Sequence, residues 1–237
     1  MTEDLTLAAS AVSDSAIYDR LISAVLDHRL APGTKLVEDK LASAFGVSRT
    51  RIRPVLVRLA NESIVTLRPN RGAVVAQPTP HEAQEIFETR RMIEPTLVAR
   101  FIAAATEADV AVLRQLIQDE ETAQSQGDRH RAIRLSGQFH LWIAEKSGHK
   151  TLGRMLVELV SRTSLILMTY GGNAPPHTAP SATCGCTAHR ALLDAIRLRI
   201  AQEAQALMLA HLQDIESQLV WERQDPAPLD MKTLLGI

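Results

Sequence analysis

The chain has 237 residues and a formal net charge of −1, and hydrophobic residues make up 46% of it. This length is enough for one large domain or two modest domains with hydrophobic cores. No stretch is apolar and long enough to cross a bilayer, and the first ten residues lack the basic start of a signal peptide, so we expect a cytoplasmic protein. Aromatic residues are only 3% of the chain, and strand-like alternation is confined to the region near residue 70, which favours a mainly α-helical fold.

Three short helices and a hairpin are predicted in the first third of the chain. Residues 1–13 are small and polar, and we expect them to be disordered. Apolar residues at helical spacing then predict a first helix, which "LAPG" ends, and "LVEDKLASAFG" and "SRTRIRPVLVRL" predict a second and a third. The apolar runs "SIVTLRP" and "AVVAQ" flank the turn "NRG" and predict a hairpin. This order, over residues 14–77, is that of a winged helix-turn-helix, whose third helix enters the major groove of DNA.

Positive charge is concentrated in residues 40–71, which contain seven Lys or Arg and a single acid. Arg49, Arg51 and Arg53 crowd the start of the third helix, where the Ser48 hydroxyl is predicted to act as N-cap. Cations at a helix N-terminus oppose the helix dipole at a cost of up to about 1 kcal/mol each, so this placement suits an anionic partner. A solvated basic face is the alternative interpretation. The helix-turn-helix order and the hairpin favour DNA.

Six consecutive helical patterns follow a short linker at residues 78–80. They predict an all-α helical bundle over residues 81–222, followed by a tail of residues 223–237. The segment "GGNAPPHTAPSATCG" is rich in Gly and Pro and is predicted to be a mobile loop. Cys184 and Cys186 are too close for an unstrained disulfide, which indicates a reducing compartment.

Three histidines, His140, His189 and His211, lie on predicted helices beside apolar residues. Taken singly, each is better explained as a core histidine whose ring nitrogens are hydrogen-bonded. A zinc site that joins Cys184 and Cys186 to His189 is an alternative, although the ligand count and spacing of a structural zinc motif are absent.

The chain resembles the GntR transcription regulators, in particular the FadR-type branch with an all-helical FCD effector domain, from about residue 15 to 220. The stretch "LAPGTKLVEDKLASAFGVSRTRIRPVLVRL" resembles the N-terminal signature of that family, "PNRGAVV" its wing, and "ETRRMIEPTLVARFIA" the first helix of its effector domain. The resemblance implies a homodimeric repressor that binds an inverted repeat of double-stranded operator DNA and responds to a small organic acid or an acid-bearing cofactor.

In this family the start of the third helix and the wing contact DNA. One departure is Pro54, which would fall inside the third helix and remove a backbone hydrogen bond, so we expect a kinked or shortened helix. Guanidinium groups can clamp phosphate or pair with guanine, and glycine permits close approach of the backbone. By position, the resemblance implies the following DNA contacts: Lys35, Ser48, Arg49, Thr50, Arg53, Asn70, Arg71 and Gly72.

Many FCD domains hold a divalent metal through an Asp, a His four residues later and two further histidines. His140, His189 and His211 match the three histidines, whereas Ser136 stands at the position of the acid. Positions four residues apart share a helix face, so both can point at one ion. Without the carboxylate the site is neutral before the metal arrives. Three imidazoles favour zinc, with nickel as the other candidate.

Arg90 is predicted to face the interior of the same bundle, where a buried guanidinium suits the carboxylate of an effector. Arg162 and Ser136 are further candidates for that pocket, and an intrahelical pair with Glu94 is the alternative role for Arg90. Two rival functions are a DNA-binding dimer without an effector and a metal-dependent hydrolase. The hydrolase lacks an HExxH arrangement that would place a general base beside the ion. Buried polar groups argue against the effector-free dimer.

Overall fold

The computed structural model describes residues 12–26, 29–69, 72–171 and 184–221. Most of the predicted tails and of the Gly- and Pro-rich loop, together with Asn70 and Arg71, lie outside the described residues. The described residues are mostly helical and form two large hydrophobic cores, one for each predicted domain. Within these ranges no helix has the length and apolar character needed to span a membrane.

The N-terminal domain is a winged helix-turn-helix, as predicted. Its elements are α1 (Asp14–Leu26), β1 (Lys35–Leu36), α2 (Glu38–Phe45), α3 (Arg49–Asn61), β2 (Val65–Arg68) and β3 (Gly72–Val75). Ile17 and Leu21 of α1 and Ile52, Val55 and Leu56 of α3 are buried in one core, which fixes α3 on the rest of the domain.

The wing is a three-stranded antiparallel sheet in the order β1-β3-β2, so a strand at Lys35–Leu36 joins the predicted hairpin. Gly72 begins β3 with a φ of 77°, and a Cβ at this position would lie 2.5 Å from the backbone oxygen of Leu36. The packing of β1 against β3 therefore requires glycine at position 72. This requirement is independent of any contact with DNA.

α3 begins at Arg49 and continues through Pro54 to Asn61, so the expected shortening at the proline does not occur. Ser48 has the extended backbone of an N-cap, but its side chain makes no capping hydrogen bond. Its hydroxyl instead lies 2.7 Å from the hydroxyl of Thr50. The predicted position of the cap is thus right and the predicted role of the hydroxyl is wrong, because a neighbouring side chain competes for it.

The C-terminal domain is the predicted helical bundle. Among the described residues its helices are α4 (Pro80–Ala104), α5 (Glu107–Ser125), α6 (Arg129–Lys146), α7 (Lys150–Tyr170), α8 (Cys184–Arg197) and α9 (Ala201–Ser217). α4 begins inside the predicted linker, because Thr79 and Glu82 form a capping box around Pro80. The backbone N–H of Thr79 donates to the Glu82 carboxylate at 2.7 Å, and that of Glu82 donates to the Thr79 hydroxyl at 3.2 Å.

Helix α7 contacts both domains. Leu165 is fully buried in the core of the winged helix-turn-helix, and Met168 packs against the same core. Thr163 and Ser164 on this helix line a cavity that also reaches into the bundle. The Tyr170 hydroxyl donates to the backbone oxygen of Pro78 at 2.7 Å and so ties the linker to the end of α7.

Candidate metal centre and nucleic-acid interface

Three histidines from three helices converge inside the bundle. His140 of α6, His189 of α8 and His211 of α9 are all buried, and their Nε2 atoms lie 3.4, 3.1 and 3.3 Å from one another. With Zn–N bonds of about 2.0 to 2.1 Å, two nitrogens of a tetrahedral zinc site are separated by about 3.3 Å. The spacing of the three nitrogens therefore fits three corners of a tetrahedral site.

Two of these histidines have a buried carboxylate at Nδ1, the ring nitrogen on the far side from the cluster. Glu94 of α4 lies with Oε2 2.6 Å from Nδ1 of His140, and Glu120 of α5 lies with Oε2 2.9 Å from Nδ1 of His189. A carboxylate oxygen in this position accepts from Nδ1–H, and in a neutral ring with its hydrogen on Nδ1 the Nε2 atom presents a lone pair. This is the tautomer that binds metals, and carboxylates in this position orient the ring and raise its basicity.

The three histidine Nε2 atoms are better explained as ligands of a bound cation than as hydrogen-bond partners of one another. In the tautomer that the carboxylates impose, Nε2 of His140 and Nε2 of His189 are both acceptors and cannot hydrogen-bond each other. Nδ1 of His211 is buried without a hydrogen-bond partner. Burial lowers the pKa of His140 and holds the pKa of His211 well below its ordinary value of 6.5, so protonation of these two rings is disfavoured.

Glu94 joins the histidine cluster to Arg90. Its Oε1 accepts from Nε of Arg90 at 2.6 Å, and Nη1 of Arg90 also donates to the Thr163 hydroxyl at 3.3 Å. Burial alone would raise the pKa of Glu94, but the charge of Arg90 and the interaction with His140 outweigh burial and hold the pKa at about 2. The intrahelical pair considered for Arg90 is thus present, and Glu94 is an ionised bridge between a guanidinium and an imidazole.

A cavity of about 630 Å³ lies beside the cluster. It contains Arg90, Ser136 and His140 in its wall, so three of the residues predicted from the sequence are brought together. Ser136 lies one helical turn before His140 on α6 and shares its face of the helix. Among the histidines of the cluster, His140 is the one that reaches this wall.

Arg162 lies elsewhere. It lines a separate cavity of about 300 Å³ next to Glu82, Gln77 and the linker residue Pro78, and its Nη1 is 3.8 Å from Glu158. The structure therefore does not bring Arg162 to the cavity that contains Arg90. Cys186 is buried, and burial together with the nearby carboxylates raises the pKa of its thiol to about 12. Among the described residues, the group of side chains close enough to share a metal ion consists of the three histidines without Cys186.

The start of α3 presents the predicted DNA-contacting residues to solvent. Thr50 and Arg53 are exposed, and so is Arg49, whose guanidinium pairs with Asp39 of α2. Lys35 is exposed on β1 at the edge of the wing. Arg51 differs from its neighbours, because it donates to Asp14 Oδ1 from Nε at 2.9 Å and from Nη2 at 2.6 Å. The second arginine of the run therefore binds α1 rather than facing outward.

Comparisons with known proteins agree with this architecture. Residues 14–75 match the family model described as bacterial regulatory proteins of the gntR family, and residues 85–214 match the FCD domain. The chain belongs to the GntR family of bacterial DNA-binding transcription regulators and carries the FCD domain. FCD domains often bind a metal, in keeping with the histidine cluster.

The relatives of this chain include named transcription regulators. The chain is 29% identical over 130 residues to the HTH-type transcriptional regulator McbR of Escherichia coli, a match that covers 55% of this chain and 59% of McbR. It is 22% identical over 226 residues to the E. coli transcriptional repressor RspR, which covers 95% of this chain and 96% of RspR. The fold matches that of E. coli McbR/YncC with a TM-score of 0.77 at 24% identity, over 86% of this chain and 97% of that one. The family match and these relatives support a transcription regulator and give no support to the hydrolase alternative.

Proposed function

We propose that this regulator is a cytoplasmic, homodimeric repressor whose affinity for an inverted repeat of operator DNA changes when a small organic acid binds in the bundle. Residues 14–77 would read the DNA, and residues 81–222 would form the dimer and hold the acid beside a divalent metal. The observation that carries the proposal is the convergence of three buried Nε2 atoms, 3.1 to 3.4 Å apart, in a cluster whose His140 lines the same cavity as Arg90.

His140, His189 and His211 are the proposed metal ligands, with zinc preferred over nickel for a site of three imidazoles. When bound, the metal supplies a positive charge and open coordination positions for a carboxylate oxygen. Arg90 is the second proposed anchor. Its described contacts engage Nε and Nη1, which leaves Nη2 for the acid in a cavity that the same side chain lines. The Ser136 hydroxyl is the proposed third contact, from the wall beside His140.

A direct connection to the DNA-binding domain supports the proposed response. Ile22 and Ser23 of α1 line the same cavity as His140, so an acid in this space would touch the DNA-binding domain itself. The other end of α1 is ion-paired to α3 through Asp14 and Arg51. Any difference in acid affinity between the free and the DNA-bound placements of α1 must appear as an equal factor in DNA affinity.

The assembly and the sign of regulation are inferred more indirectly. Two copies of α3 related by a two-fold axis would read the two halves of an inverted repeat. Repression is proposed because RspR, which aligns with 95% of this chain, is named as a repressor.

The test is operator binding measured by fluorescence anisotropy, with the operator obtained by in vitro selection on the full-length protein. In the presence of Zn²⁺, at least one acid of a broad panel should change the DNA dissociation constant by about fivefold or more. The change should vanish with a chelator and in His140→Ala. If no acid and no chelator alters DNA affinity, the protein is a DNA-binding dimer without an effector, and the proposed response is wrong.

A further inference from the structure

The cavity beside the histidine cluster has a second group of cations. Arg131 and Arg134 of α6 both line it, and Asp128 is the one acidic residue in its described wall. The carboxylate of Asp128 is engaged as the N-cap of α6, where Oδ1 accepts from the backbone N–H of Arg131 at 3.0 Å. Arg90 is paired with Glu94 and Arg134 also has a partner, whereas the guanidinium of Arg131 pairs with no described carboxylate.

The placement of these arginines is poor for stability. Residues three apart on a helix are neighbours, and like charges there repel by a few tenths of a kcal/mol. Arg131 is also in the first turn of α6, where a cation opposes the helix dipole. The side chain of Arg131 is half-buried and makes no hydrogen bond or ion pair with any described residue. An anion in the cavity would offset both unfavourable effects at Arg131.

Arg131 and Arg134 are separated from the histidine cluster along α6. With a rise of 1.5 Å per residue, Arg134 lies about 9 Å and Arg131 about 13.5 Å along the helix axis from His140. The cavity of about 630 Å³ is in the size range that holds a ligand larger than a two- or three-carbon acid. Because Arg131 and Arg134 line the same cavity as His140 and Arg90, a ligand with one end at His140 and Arg90 has room to extend toward the two arginines.

We infer that Arg131 and Arg134 form a second anion-binding subsite, and that the effector carries two anionic groups at opposite ends. One is a carboxylate that binds next to Arg90 and His140. The other is a carboxylate or a phosphate that binds to Arg131 and Arg134, at the arginine end of the cavity. The inference rests on the proposed function for the first anchor. It adds the chemical class of the ligand and the residues that select it.

Matched pairs of probes test the subsite on the full-length protein supplied with one equivalent of Zn²⁺. Hexanoate and octanoate each have one anionic end, whereas adipate and suberate have the same carbon counts and two. Calorimetric titration should give at least one dicarboxylate that binds about tenfold or more tightly than its monocarboxylate, the size of a charge-assisted pair. 6-Phosphonohexanoate distinguishes a phosphate-binding from a carboxylate-binding arginine end by its affinity relative to adipate.

Variants assign the preference to the arginines. Arg131→Gln, and more strongly Arg131→Gln combined with Arg134→Gln, should bring the dicarboxylate to the affinity of the monocarboxylate and leave the monocarboxylate unchanged. Arg154→Gln is the matched control, since it removes the same charge from an exposed position of α7 that does not line the cavity. The ligand-free Arg131→Gln protein should melt at an equal or higher temperature than the wild type, which excludes misfolding as the cause of lost binding.

The possible failures are distinct. If monocarboxylates bind and dicarboxylates bind no more tightly, or if Arg154→Gln has the same effect as Arg131→Gln, the second subsite is wrong and the acid site of the proposed function stands. If none of the probes binds at millimolar concentration, the acid site itself fails and the second subsite fails with it.

Discussion

Nδ1 of His140 lies 2.6 Å from Oε2 of Glu94, and the other oxygen of this carboxylate lies 2.6 Å from Nε of Arg90. One residue of α4 thus orients a histidine of the cluster and neutralises an arginine of the adjoining cavity. Because all three groups are buried, a change at Glu94 should affect both the metal centre and the folded state.

Glu94→Gln and Glu120→Gln should separate these two roles. Both carboxylates accept from an Nδ1 of the cluster, so each substitution should lower Zn²⁺ affinity by roughly 10- to 100-fold. Only Glu94→Gln leaves the buried charge of Arg90 without its counter-ion, and it should also lower the free energy of unfolding by about 3 to 5 kcal/mol. Zinc competition with a chromophoric chelator and urea unfolding of the metal-free proteins measure the two effects. Unchanged zinc affinity in Glu120→Gln would contradict the orienting role of this carboxylate.

The metal-free protein should lose stability as the pH falls from about 7.5 to about 5.5. Burial keeps the pKa values of His140 and His211 below 6.5 in the folded protein, whereas in the unfolded chain both bind protons near that value. Below pH 6.5 the unfolded state therefore binds more protons than the folded state, and the free energy of unfolding decreases. Above pH 6.5 the two states bind nearly the same number of protons at these rings, so the stability is no longer reduced. Glu94, with a pKa of about 2, stays ionised throughout this window and adds nothing to the slope.

His211→Leu provides the comparison for that pH dependence, because it removes one buried titratable ring at similar volume. Its melting temperature should change less between the two pH values than that of the wild type. His81→Leu, at an exposed histidine of α4, should keep the wild-type slope. An identical slope in the wild type and in His211→Leu would show that this ring is not the source of the effect.

Ser136→Asp should strengthen metal binding. Ser136 lies one turn before His140 and lines the same cavity, so an aspartate would bring a carboxylate to the open side of the three-histidine site. We expect Zn²⁺ affinity to rise by about tenfold or more and acid binding to weaken, because the new side chain takes the place of the ligand carboxylate. Ser136→Asn is the neutral control and should leave zinc affinity close to that of the wild type. Equal zinc affinity in Ser136→Asp and Ser136→Asn would place the open side of the site elsewhere.

Arg51 and Arg53 should behave differently although they are two positions apart. Arg53 is exposed at the start of α3, so Arg53→Ala should weaken operator binding by about 1 to 3 kcal/mol and leave the melting temperature unchanged. Arg51 binds Asp14 in a half-exposed pair, worth about 1 kcal/mol at most, so Arg51→Ala should lower the melting temperature by about 2 to 4 °C. Anisotropy titrations and thermal melts of both variants decide the point. A larger loss of DNA affinity in Arg51→Ala than in Arg53→Ala would contradict this division.

The sequence could predict the histidines of the cluster but not both of their carboxylate partners. Glu94 was visible as a neighbour of Arg90 on one helix, four residues away. Glu120 occupies a buried position of α5 in helical register with Leu113 and Ile117, and it meets His189 only because α5 packs against α8. The available signal was an acid in the apolar stripe of an amphipathic helix, where an unpaired charge is too costly to bury.

Similar limits explain the other differences between prediction and structure. The helices were predictable because their apolar residues repeat at a regular interval. Strand β1 has only two residues and pairs with β3 far along the chain, so no local pattern marks it. Arg162 precedes the cavity residue Thr163 by one position, and one residue turns a helix by about 100°, which directs Arg162 to a different face.

The central claim is that the three histidines hold one metal ion, and its most direct test is the zinc content of chelator-treated protein after titration with Zn²⁺ and removal of free metal. We expect one Zn²⁺ per chain in the wild type and in the variant with both Cys184→Ser and Cys186→Ser. We expect none in His189→Gln, whose side chain is fully buried at the centre of the cluster in the wild type. A full equivalent of zinc in His189→Gln, or its loss in the cysteine variant, would contradict this account.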